Sequence, residues 1–191
     1  MTNISLYTIT SCLILDKDGK RLYGKYYQTQ TLHPELTTLA QQVEFEKKIF
    51  DKINRVNQDI LLFNSNLVVY KQVNDVLLII VANLDENESL IYQLLSNLND
   101  SLNILLDNTL DKVTILEKYD MVSLCVDEAI DDGVILEIDS SVLVSRVTNP
   151  PSGASLGQDL NLNKIDISEK GFLNALSFAS KKIGERLQQG L

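Results

Sequence analysis

Residues 4–27 read ISLYTITSCLILDKDGKRLYGKYY, two runs rich in β-branched and aromatic side chains on either side of Asp18-Gly19. Such runs favour extended backbone, and an Asp-Gly pair accepts positive φ, so the segment predicts an antiparallel hairpin with arms at 4–15 and 21–27. Asp16, Asp18 and Gly19 also imitate the start of a calcium loop. That loop needs about six or more oxygen ligands and a glutamate at its twelfth position. Tyr27 stands there instead, so the segment is read as a turn.

Beyond the hairpin, a polar connection at 28–37 leads into a predicted helix ending near Arg55, with Leu39, Val43, Ile49, Phe50 and Ile53 as its apolar stripe. Three short apolar runs, 60–63, 67–72 and 76–82, are separated by Asn64-Ser65-Asn66 and Asn74-Asp75 and predict consecutive antiparallel strands. Residues 85–88 offer capping groups to a second helix carrying Ile91, Leu94, Leu95, Leu98, Leu102 and Leu105 on one face. Tyr119, Val122, Val126, Ala129 and Ile130 mark a third helix stopping near Asp131-Asp132-Gly133, where glycine suits a left-handed cap. A strand-like VILEI and a brief helix over 140–147 follow.

Asn149-Pro150-Pro151-Ser152-Gly153 breaks the chain. The predicted organisation is a domain at 1–148, a flexible linker at 149–167 and a C-terminal amphipathic helix at 168–191. Phe172, Leu176, Ala179, Ile183 and Leu187 line that helix opposite Lys181, Lys182 and Arg186. It is expected to dock on its own domain, on a partner or on a membrane surface.

The 191 residues, 45% apolar and 23% charged, supply a core for one domain. Net charge −9 opposes binding to phosphate backbones and anionic lipid, so no nucleic-acid partner is expected. The run at 76–82 is far short of the ~20 apolar residues that span a bilayer, and no basic region followed by an apolar stretch opens the chain. A cytoplasmic location is expected. Cys12 and Cys125 fit small buried hydrophobes better than a disulfide in a reducing compartment.

Candidate chemistry fails on context. Gly153-Ala154-Ser155-Leu156-Gly157 matches the G-x-S-x-G elbow of hydrolases. Two prolines rather than an apolar strand precede it, and the single histidine, His33, lies far upstream rather than after the serine. One histidine and two distant cysteines supply too few ligands for a transition metal. His33, beside Pro34, reads as a solvated loop residue. No phosphate-cradling glycine motif occurs among the eight glycines. Asp127-Glu128 and Asp131-Asp132 fit water-facing acids at a helix end, since no base or groove accompanies them. The chain is therefore expected to be non-catalytic, with no cofactor.

The element order strand, strand, helix, three strands, helix, helix is that of the longin-like small subunits of vesicle coats. LILDKDGKRLYGKYY at 13–27, EFEKKIFDKINR at 44–55, NLVVYK at 66–71, CVDEAIDDGVILEID at 125–139 and SRV at 145–147 resemble the coatomer zeta subunits. The adaptor-complex sigma subunits are related but fit less well, because the zeta-like V-D-E-x-x-D-x-G-x-I-L-E pattern is met at 126–137. The long connection at 28–37 and the tail beyond Val147 depart from the family pattern.

The resemblance implies an α+β, longin-like fold with a five-stranded antiparallel sheet between helices, here extended by the C-terminal helix. It implies direct, stable pairing with the large coatomer gamma subunit, association with the other coatomer subunits, and recruitment by an Arf-type small GTPase through gamma. The expected setting is the cytosolic face of Golgi membranes and COPI vesicles, in Golgi-to-endoplasmic-reticulum and intra-Golgi transport. Competing readings are a sigma subunit or a regulatory longin module that binds a small GTPase or SNARE helix transiently. A small sheet leaves an edge for a permanent partner to cover. The interface is expected on the strand 67–72 and its neighbouring edge, at Leu67, Val69, Tyr70 and Lys71.

Overall fold

The computed structural model describes residues 6–56 and 58–149. Its hairpin, β1 (Ile9–Asp16) and β2 (Arg21–Tyr26), forms one side of a five-stranded antiparallel sheet with β3 (Ile60–Phe63), β4 (Asn66–Val73) and β5 (Val76–Asn83). The strand order is β2-β1-β5-β4-β3, so the chain crosses the sheet once, through α1 (Leu39–Ile53), before filling in from the far edge. The longin-like α+β expectation holds.

Both faces of the sheet are covered, which explains why β5 reads as the unbroken run VLLIIVA rather than as alternation. Val76, Leu78, Ile80 and Ala82 join the core formed with α2 (Glu88–Leu105), α4 (Tyr119–Ala129) and α5 (Ser140–Thr148). Leu77, Ile79 and Val81 join Phe45, Ile49 and Ile53 of α1 on the opposite face. The six residues of the α2 stripe are all buried as read, each contributing roughly 1.5–3 kcal/mol of hydrophobic stabilisation.

Local chemistry sets the element ends. Thr38 and Gln41 form a reciprocal capping box on α1, and the Asn87 side chain accepts from the Ser89 and Leu90 amides to start α2. At the first hairpin, Asp16 Oδ1 accepts from the amides of Asp18 and Lys20, each at 2.9 Å, and Gly19 takes φ +77°. The acid that resembled a calcium ligand thus closes its own turn.

Several expectations are corrected. The first arm begins at Ile9, because the Thr8 and Ile9 amides both donate to Gly133 O rather than to a strand. On α1, Leu39 and Val43 are exposed, while Phe45, Glu46, Ile49 and Ile53 are buried. The third helix ends at Ala129; Ile130 opens β6 (Ile130–Asp131), which pairs with β7 (Val134–Ile135). Asp132 and Gly133, at φ +47° and +86°, make the turn between them, so the glycine serves a hairpin and not a helix cap. A short helix, α3 (Lys112–Glu117), precedes α4 where none was read, capped by Asp111. The expected linker, from residue 150, and the expected C-terminal helix at 168–191 lie outside the described residues.

Candidate functional site

Chemically reactive groups are held in structural roles. Cys12 and Cys125 are free and buried, and burial pushes both thiols up to about 12, with each other's proximity adding to the effect at Cys12. They are weak nucleophiles at neutral pH. His33 is not solvated as expected: Nε2 shares a 3.2 Å hydrogen bond with the buried Thr10 hydroxyl, and Nδ1 lies 3.4 Å from Glu35. Asp127 pairs with Lys25, Glu128 with Arg146, and Asp132 accepts from Gln28. Among the described residues no group of three or more His, Cys, Asp or Glu is placed to hold a metal ion, and no helix is long and apolar enough to cross a membrane.

Of the four residues expected at an interface, three are buried within the chain itself. Leu67 and Val69 are buried beneath the α2 layer, and Tyr70 is buried on the α1 side, its hydroxyl donating to Val56 O at 3.1 Å. The physical reason is that β4 lies between β5 and β3 with helices over both faces, so its apolar residues are consumed by the chain's own core. Lys71 alone is half-exposed, lining a cleft of ≈550 Å³ with Arg55, Gln72 and Tyr92.

Of the two sheet edges, β3 exposes Leu62, whereas β2 is tied to α1 through polar side chains. Arg21 reaches across it to Glu46 of α1, Nη2 to Oε1 at 2.5 Å, while the Tyr26 hydroxyl donates to the same carboxylate at 2.8 Å. Both Arg21 terminal nitrogens also donate to Gln42 Oε1 at 3.4 Å. Gly24 makes this path available: a Cβ there would stand 2.9 Å from Arg21 Cδ. Burial and then the Glu46 charge raise the Tyr26 hydroxyl well above the ordinary phenol range. These contacts turn Gln42 and Glu46 toward β2, so Leu39 and Val43, in the adjoining helical row, project beside that strand.

On the opposite layer, α3 packs against β2, and the Tyr119 ring lies 5.8 Å from that of Tyr23. Leu116 and Tyr119 are exposed there.

The family model of the clathrin adaptor complex small chain matches residues 8–152. Coatomer subunit zeta of Saccharomyces cerevisiae is 42% identical over 197 aligned residues, covering 100% of both chains. The chain belongs to the coatomer zeta family. Coatomer subunit zeta-1 of Homo sapiens is 38% identical over 165 residues, covering 86% of this chain and 87% of the human one. A chain from a homology model of the full-length AP-3 complex in a stretched open conformation matches with TM-score 0.57 over 81% of this chain and 96% of that one. At 15% identity this likeness concerns the fold alone. As a zeta-family member the chain is a coat subunit of the COPI coatomer.

Proposed function

We propose that this zeta-family chain is a non-catalytic building block of coatomer that pairs directly and stably with the large gamma subunit. In this reading an Arf-type GTPase recruits it through gamma to the cytosolic face of Golgi membranes, for Golgi-to-endoplasmic-reticulum and intra-Golgi transport. The observation that carries the reading is the end-to-end similarity to coatomer subunit zeta, which includes the stretch beyond residue 149.

The physical chemistry supports it. A net charge of −9 suits a subunit that meets proteins and leaves anionic lipid to others. Exposed leucines beside an open strand edge suit a permanent partner better than a passing one.

Co-expression of the full chain with coatomer gamma, followed by size-exclusion chromatography, tests the proposal. A stoichiometric complex surviving dilution to nanomolar concentration is expected. A monomer indifferent to gamma would overturn the reading.

A further inference from the structure

The two outer strands of the sheet are finished differently. β3 has four residues, and Lys52 Nζ donates to Leu62 O at 2.8 Å at that edge, capping it with a cation. β2 has six residues and no such plug. Tyr27 N donates to Thr10 O, and hydrogen-bonded pairs alternate along an antiparallel ladder. Cys12–Lys25 and Ile14–Tyr23 are then bonded pairs, while Ser11–Tyr26 and Leu13–Gly24 are not. The N–H and C=O groups of Gly24 and Tyr26 therefore point out of the sheet, and no hydrogen bond among the described residues takes them. A glycine within an edge strand also permits close approach of another backbone.

Apolar side chains border this edge on both layers. Leu39 and Val43, 66% and 51% exposed, flank it on the α1 side; Leu116 and Tyr119, 52% and 44% exposed, flank it on the α3–α4 side. The charge there departs from that of the whole chain. The hairpin 16–27 holds four Lys or Arg against two Asp or Glu, in a chain of net charge −9. Lys17, Lys20 and Lys47 form no ion pair among the described residues.

We infer that β2 is a docking edge to which an extended segment of a partner chain, alternately apolar and bearing carboxylates, adds as a sixth strand. Backbone hydrogen bonds to Gly24 and Tyr26 hold it. Its alternate side chains fall against Leu39 and Val43 on one layer and Leu116 and Tyr119 on the other, and its acids meet the unpaired lysines. The identity of the partner as the gamma subunit rests on the proposed function; the open edge does not.

Amide hydrogen exchange on the ¹⁵N-labelled full chain, free and bound to gamma, tests the inference. The Gly24 and Tyr26 amides are expected to slow by about 100-fold or more in the complex. Gly24→Pro, which removes one outward donor and leaves the bonded β1–β2 pairs in place, is expected to weaken binding by about tenfold or more. Because that variant risks misfolding, Leu39→Asp and Leu116→Asp, checked by unchanged thermal melting, are expected to weaken binding similarly, and Leu62→Asp on the far edge to leave it unchanged. A complex in which Gly24 and Tyr26 exchange at their free rates overturns the docking edge while leaving the pairing with gamma intact. Protection of these amides by self-association of the free chain overturns the occupant. Failure to form any complex overturns the gamma reading and with it the assignment of this partner.

Discussion

Arg21 on the outer strand and Glu46 on the helix above it lie 2.5 Å apart, the arginine side chain 23% exposed and the carboxylate 4%. This pair joins the edge of the sheet to the layer above it and decides which way α1 faces. Removing one partner strands a charge that is expensive to bury. Arg21→Met is expected to lower stability by roughly 3 kcal/mol, and Arg21→Met with Glu46→Leu to recover most of that loss. Urea unfolding of the two variants and of the parent chain measures it.

The corrected orientation of α1 has its own test. Ile49 is wholly buried, and Ile49→Ala is expected to cost about 2–5 kcal/mol through lost packing and a cavity. Leu39→Ser and Val43→Ser are expected to stay within about 0.5 kcal/mol of the parent in the isolated chain. Equal losses at all three positions would mean that the helix buries the other row.

Gly133 turns β6 into β7 at φ +86°, and a Cβ on it would stand 2.7 Å from Ile9 O. Its carbonyl accepts from the Thr8 and Ile9 amides, both at 2.9 Å, so this turn also anchors the start of β1. Gly133→Ala is expected to destabilise by about 2 kcal/mol or more, from left-handed strain and the contact with Ile9 together. Thermal melting reads the loss.

Asp16 and Lys112, far apart in the chain, meet at 2.8 Å and tie the first hairpin to α3. Burial acts to raise the Asp16 carboxyl, but the Lys112 hydrogen bond and the Lys20 and Asp18 amides outweigh it, so its pKa falls below the ordinary 3.8. A depressed folded-state pKa gives stability that is present above 3.8 and is lost as pH falls through the folded value. Asp16→Asn is therefore expected to be less stable than the parent at neutral pH. The difference between their melting temperatures should shrink as the pH drops below 3.8. A pH-independent difference would remove the charge argument.

Cys12 and Cys125, with thiols pushed up to about 12, are expected to resist a thiol-specific disulfide reagent at pH 8 in the folded chain. Both should react at once in denaturant. Stoichiometric labelling of the native protein within minutes would show that either thiol is accessible.

Much of this fold was legible because its signals are local. The three strands after α1 announce themselves by apolar runs between Asn-rich turns, and the α2 stripe recurs at helical spacing with a capping asparagine before it. The family resemblance was legible for the same reason, carried by short segments at 13–27 and 125–139. The short helix α3 was missed because Lys112–Glu117 is too brief to display a period. The burial of Leu67, Val69 and Tyr70 was not legible, because an apolar run does not say whether its strand lies inside a sheet or at its edge.

The sequence by itself determined where most turns fall, which of the longer segments are strand or helix, and which family the chain resembles, because propensity, capping and periodicity act within a few residues. Only the tertiary structure decided which sides of those elements remain available. Apolar residues on α1 occupy two adjoining rows, and nothing local chooses between them until Glu46 is drawn to Arg21 and the row carrying Phe45, Ile49 and Ile53 is pressed onto the sheet. Likewise β4 and β2 are both rich in apolar residues, but strand order places one inside the sheet and the other at its edge. Burial is a property of what packs against a residue, and for those strands it was settled by partners distant in the chain.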